Sequence, residues 1–457
     1  MSLFDRIKKA ERPPQYGKYL FLLVCIWTLS FEEPITHLDF PYITLFRNVL
    51  PILAIAYFIL DPSTEDKTRE GRSGLGSRLQ TLTQPMAVLG MVFVAAGIVG
   101  WIMNGYQTFS ITVQAMYEHI RFWICLWAFM SVLSTFPLEK YAKRLFCHVG
   151  LLSAILIVLT AVDIIFHIWG RQIYRFGIGS IQLFYGHPSN FGAHCVFLLA
   201  MLCILIPYLQ LIDDEESRRV PRWSVTATVL MCCMLVLVLT TIRTRLIGFV
   251  AAFIILFIYM IVIKKKLHPG IILVGVLVAL AIGWQRIYFF YFSKYSYTMA
   301  RGQFATNSLD IALNNMPFGA GFGTFGSRMA QIHYSPLYFK YHMMLTTGMQ
   351  PTHPSYACDS FYPMILGESG WLGFIAYMLL IVLLIRMIFG MQRLDAETAS
   401  AAGIQRMTVF TAMILVLYEL SETTATLALS ETYSVLIALA LGLAIAKCRR
   451  PFISPLS

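Results

Sequence analysis

Apolar runs of about 20 residues recur from one end of this 457-residue chain to the other. Wound as a helix, a run of that length matches the hydrocarbon thickness of a bilayer, and in lipid each backbone polar group must be satisfied within its own segment. The runs are continuous and do not alternate apolar with polar residues, so a membrane β-barrel does not fit. The expected fold class is an all-α polytopic membrane protein with about 12 transmembrane helices. The expected spans are 19–31, 42–60, 85–103, 112–135, 148–169, 187–211, 224–241, 245–263, 270–290, 361–388, 406–421 and 430–446. The first run lacks a small-residue cleavage site and reads as an uncleaved helix. Composition agrees with a membrane domain: 58% of residues are hydrophobic and 13% charged, with mean hydropathy +0.67. A soluble domain carries about twice that charged fraction.

The net charge of +11 belongs to loops. Arg6, Lys8, Lys9, Arg12 and Lys18 precede the first span, and further basic residues fall at 67–78, 140–144, 218–222, 264–266, 393 and 447–450. The alternate loops at 32–41, 104–111 and 422–429 hold no Lys or Arg. Alternation of this kind puts both termini in the cytoplasm and argues against a nucleic-acid partner. The nine cysteines show no CxxC and no metal-ligand spacing, and only Cys358 falls in an expected outer loop. No disulfide framework, metal or cofactor is expected. One integral membrane domain spans 1–457, with a single large extracytoplasmic loop at about 291–360.

Basic residues break the pattern at three outer places: Arg171 and Arg175; Arg243 and Arg245; and Lys294, Arg301, Arg328 and Lys340 in the long loop. Most are arginine, whose planar fork suits phosphate and pyrophosphate. Each alone could equally be a snorkelling helix-end residue. In the loop, residues 299–314 space their apolar side chains as an amphipathic helix does, for a place on the outer membrane surface. The segment Asn315–Gly326 is punctuated by glycine, as tight turns and close backbone approaches require. Its Phe318, Phe322 and Phe325 are candidates to pack onto the membrane. Polar residues at 353–360 then drop into a hydrophobic run.

Four stretches together resemble the O-antigen ligase and polysaccharide polymerase superfamily of bacterial envelope glycosyltransferases. Leu239-Thr240-Thr241-Ile242-Arg243-Thr244-Arg245-Leu246 is similar to its "T-x-SR-x-x-L" turn, with Arg243 at the shared arginine, and Asn315–Phe325 to its "NPLFGxGxGTF" segment. Asp359-Ser360-Phe361-Tyr362 through Glu368-Ser369-Gly370-Trp371-Leu372-Gly373 is similar to its "H/D-(N/S)-x-(Y/F)…L-x-E-x-G-x-x-G" stretch, and Tyr185–Asn190 more weakly to "GxPN". Where ligases typically place a histidine, this chain has Asp359, as polymerases do; His353 lies six residues earlier.

The resemblance implies a polymerase that transfers glycan repeat units from an undecaprenyl-pyrophosphate carrier to a sugar hydroxyl, outside the cytoplasmic membrane, without metal or nucleotide sugar. The growing polysaccharide or another glycan would be acceptor, and a chain-length regulator is a candidate partner. An O-antigen ligase or protein O-oligosaccharyltransferase is the alternative. A flippase for lipid-linked glycans is a second one; Glu118, Asp163 and His167 are its best support, but no internal repeat is visible. Candidate substrate-binding residues are Arg243, Arg245, Arg301, Arg328, Arg171, Arg175, His187 and Asn190. Candidate bases are Asp359, His353 and Glu368. Each has a plainer reading: a helix cap for Asp359, loop surface for His353, and a span-end carboxylate paired with arginine for Glu368.

Overall fold

The structure is a computed structural model that describes residues 14–36, 49–50, 52–53, 75–170, 174–175, 178–215, 222–393, 398–424 and 426–448. Among these there are 14 helices. They are α1 (Pro14–Thr36), α2 (Leu75–Asn104), α3 (Phe109–Leu133), α4 (Leu138–Phe166), α5 (Pro188–Glu215), α6 (Trp223–Thr240), α7 (Thr244–Phe257) and α8 (Pro269–Ile287). The long loop contributes α9 (Ala300–Asn314), α10 (Arg328–Ile332) and α11 (Pro336–Lys340), and the chain continues with α12 (Phe361–Met391), α13 (Ala399–Glu422) and α14 (Ser434–Cys448). The described strands are two residues each, Tyr174–Arg175 and Ile178–Gly179, paired antiparallel. The architecture is all-α and polytopic.

Eight of the described helices are long and apolar enough to cross a membrane: Gln84–Asn104, Leu138–Phe166, Pro188–Asp213, Trp223–Thr240, Thr244–Val262, Pro269–Phe292, Phe361–Met391 and Ala399–Glu422. They correspond to the expected spans beginning at 85, 148, 187, 224, 245, 270, 361 and 406. The expected span 19–31 falls within α1, and nearly all of 42–60 lies outside the described residues. The expected 112–135 is α3, a helix that carries Glu118, His119 and Arg121 near its start. The expected 430–446 is the shorter α14, every residue of which is buried. The expected span 85–103 is preceded by further helix, since α2 has begun at Leu75.

Helix α5 is the most enclosed of the candidate spans, packed against α4, α6, α13 and α14, while α8 lies at the rim against α7. Lys18 of α1 donates to Thr135 Oγ1, and Lys447 of α14 to the Phe136 carbonyl. The start of α1, the end of α14 and the α3–α4 turn therefore meet at one end of the bundle. The loop between α8 and α12 occupies the other end and has a core of its own: Phe304, Ile311, Phe325, Leu337, Tyr338 and Met343 are buried together. The expected amphipathic helix is present as α9, which packs against α12 and leaves Leu309 and Leu313 exposed.

Candidate active site

The loop is locked to the bundle by a backbone exchange. Helix α12 breaks at Gly370, where φ is +63°. Such a break would strand backbone groups inside an apolar bundle, at a cost of several kcal/mol each by rough estimate. Residues 317–321 satisfy them instead: Ala320 N donates to Gly367 O (2.9 Å), Gly321 N to Glu368 O (2.9 Å), and Leu372 N to Pro317 O (3.1 Å). A side chain would not fit, because a Cβ on Gly319 would stand 2.3 Å from Gly370 N and one on Gly370 would stand 2.4 Å from Gly319 N.

Glu368 completes this lock. It is fully buried, and its Oε1 accepts from Phe325 N (3.0 Å) and Ser327 Oγ (2.7 Å). Oε2 lies 2.8 Å from His119 Nε2, while His119 Nδ1 lies 3.1 Å from Ser430 Oγ. One carboxylate thus ties the glycine turn, α3, α12 and the turn before α14. Its side-chain partner across the bundle is a histidine rather than the anticipated arginine. The aromatic residues of the turn also depart from expectation. Phe322 and Phe325 are fully buried, Phe322 against Gly97, Phe93 and His119, so they enter the protein interior instead of facing lipid.

Above this lock the arginines gather. The positive φ of Ile242 (+51°) ends α6 and turns the chain so that Arg243 is the residue before α7 and Arg245 lies in its first turn. Arg243 Nη2 donates to His187 Nε2 at 2.7 Å. Burial first, then the charges of Arg243 and Arg245, lower the His187 pKa to about 4, so the ring is neutral and accepts. Arg245 donates Nη2 to Ser189 Oγ (2.7 Å) and Nε to Glu422 Oε1 (2.7 Å). Asn190, one turn into α5, donates to Tyr185 O and accepts, through its carbonyl, a contact with His194 Nδ1.

Asp359 faces the same charges. Arg301, in the first turn of α9, approaches its Oδ2 with Nε (2.8 Å) and Nη2 (2.6 Å). The Arg301 guanidinium also covers the Phe290 ring at 4.7 Å. Burial raises the Asp359 pKa above the ordinary aspartate value, against the lowering pull of Arg301, Arg245 and Arg243. Asp359 is not a helix cap, since Ser360 holds the N-cap position of α12. Its side chain stays 27% exposed, and both contacts fall on one oxygen. Arg328, exposed at the start of α10, lies within electrostatic reach of Glu118 and of Cys358.

Three candidates stand apart. His353 is exposed in a turn, bridged through its backbone to Gln350. Arg171 lies outside the described residues, and only the backbone of Arg175 is described, paired with Ile178. The sequence reading missed His119 and Glu422 as partners of Glu368 and Arg245. Their only signal was position: a polar residue within α3 and another at the end of α13.

Such a site, three arginines and one partly exposed carboxylate at the end of a helical membrane bundle, can bind a phosphorylated lipid-borne group and take up a proton beside it. The class is a glycan-transferring enzyme of the cell envelope, acting on a lipid-linked glycan at the bilayer. The family model described as O-antigen ligase matches residues 226–378, so this part of the chain is similar to that family. The match covers Arg243, Arg245, Arg301, Arg328, the glycine turn, His353, Asp359 and Glu368; His187 and Asn190 precede it. Comparison of the chain with curated proteins returned no match.

Proposed function

We propose that the chain is a polymerase that moves glycan repeat units from an undecaprenyl-pyrophosphate carrier to a sugar hydroxyl, on the outer face of the bacterial cytoplasmic membrane. The observation that carries the reading is the convergence of Arg243, Arg245 and Arg301 on Asp359, drawn from three separate stretches of chain. In the reaction the bond from the anomeric carbon to phosphate oxygen breaks, and its electron pair leaves on the pyrophosphate. Arg243, Arg245 and Arg301 neutralise that developing charge, and Arg328 extends the basic surface. The acceptor hydroxyl oxygen bonds to the anomeric carbon and its proton passes to Asp359. Neutral His187 holds Arg243, and Asn190 fixes the start of α5 beside it. Glu368 holds the turn and acts as neither acid nor base. The chain forms one membrane domain, with both termini cytoplasmic and residues 291–360 outside.

Polymerase is preferred to ligase because an aspartate, Asp359, stands where the resemblance puts histidine in ligases. The test uses a strain lacking the gene, complemented with wild type, Arg243→Ala or Asp359→Asn at matched membrane levels, with surface glycan resolved on a gel. The expected result is a ladder with wild type and single repeat units with either variant. Polymer retained on its lipid carrier in the deletion would instead make the protein a ligase. Repeat units accumulating on the cytoplasmic side would overturn transfer altogether.

A further inference from the structure

Beneath Arg245 lies a second carboxylate that the transfer chemistry does not use. Glu419 and Glu422 are one turn apart on α13, which puts them on one face of that helix. Glu422 is fully buried and Glu419 is 3% exposed. Arg245 binds Glu422 Oε1, but among the described residues Glu422 Oε2 and both oxygens of Glu419 are buried with no hydrogen-bond partner. The groups facing them are Tyr418 on the same helix, Arg245 on α7, Tyr377 on α12, and Tyr433 just before α14, itself within reach of Glu431. Among the described residues, one cation, Arg245, is paired with Glu422 and none with Glu419. A buried ionised carboxylate with neither ion nor hydrogen bond is costly enough that the group keeps a proton instead.

We propose that Glu419 is a neutral carboxylic acid whose proton is shared with Glu422 when Arg245 turns from Glu422 to a phosphate of the donor. The role rests on the donor reading above. In the resting site Arg245 and Glu422 cancel and Glu419 carries no charge. When Arg245 moves to the pyrophosphate, Glu422 would be left as an isolated buried anion. Passing the Glu419 proton between the two carboxylates spreads that single negative charge over both, as two acids sharing one proton do. No proton enters or leaves, and net charge is conserved. Glu419 is thus a positioning residue: it sets how readily Arg245 is released.

Two measurements on the full-length protein in detergent test this. The first is the infrared difference between wild type and Glu419→Gln at neutral pH, which should show the C=O stretch of a protonated carboxylic acid. Its absence, in a variant that elutes as wild type does, overturns the proposal whatever the substrate is. The second is binding of farnesyl pyrophosphate, a soluble stand-in for the donor. Glu419→Gln should weaken it by about tenfold, and Glu419→Gln/Glu422→Gln should restore it, since Arg245 is then unlocked. A merely structural role for Glu419 predicts no rescue, so weak binding in the double variant overturns the proposal. Wild type that fails to bind this probe, with the infrared band present, counts against the donor reading and the role built on it.

Discussion

Both contacts from Arg301 fall on Oδ2 of Asp359, so its second oxygen is the place for an incoming proton. Burial raises its pKa and three arginines lower it, with burial the larger influence. As a base Asp359 acts only when ionised, so transfer should fall as pH drops through a value above that of an ordinary aspartate. Removing Arg301 takes away a lowering charge, and the acid limb of the pH profile in Arg301→Ala should move to higher pH. A limb that stays put would mean another group titrates. Asp359→Asn should cost about 10²–10⁴-fold in turnover, the usual worth of a positioned base. His187 behaves oppositely. The unfolded chain protonates it below about 6.5 and the folded chain only near 4. Its contribution to stability is therefore present above that window and is lost as pH falls through it, by about 3 kcal/mol at most. Melting temperature in detergent should decline with acidification between those values in wild type, and less steeply in His187→Gln.

At the level of elements, the lock between the glycine turn and broken α12 explains why the loop can present Asp359 and Arg301 together. The Gly370 φ of +63° and the absence of room for a Cβ there mean that Gly370→Ala must displace Pro317 and Gly319. It should abolish transfer and lower thermal stability, whereas Gly90→Ala, with open space at its Cβ, should change neither. Glu368→Ala strands His119, Ser327 and the Phe325 amide, and removal of one partner from a buried pair costs about 3–5 kcal/mol. Glu368→Gln can still accept from Phe325 and Ser327 and donate to His119. Its turnover should therefore fall by much less than the about 10² lost with a base; a larger loss would return Glu368 to the chemistry. These elements were partly legible in the sequence. Gly319, Gly321, Gly323 and Gly326 announce a tight turn because few other residues accept their backbone angles. The partner of Glu368 was not legible, because His119 lies 249 residues away, between Glu118 and Arg121 in a different helix.

Across the whole molecule, hydropathy read best where length alone decides. The spans beginning at 85, 148, 187, 224, 245, 270, 361 and 406 are each a continuous apolar run, and each is a helix long enough to cross a membrane. It read less well where tertiary contacts decide: α3 hides His119 and Arg121 in protein contacts, and α14 is short but wholly enclosed. The sidedness rests on loop charge, with the arginine site at the end opposite Lys18 and Lys447. Thiol labelling of intact spheroplasts with a membrane-impermeant maleimide tests it. The native thiol of the long loop is a poor reporter, since burial pushes Cys358 up to about 12 and little thiolate forms. Exposed positions serve better. Ser355→Cys, beside the site, should label from outside, and Lys265→Cys, between α7 and α8, only after permeabilisation. The reverse pattern would put Arg243, Arg301 and Asp359 in the cytoplasm. A carrier-linked glycan displayed outside could not then reach them, so this labelling decides whether the site and its substrate share a compartment.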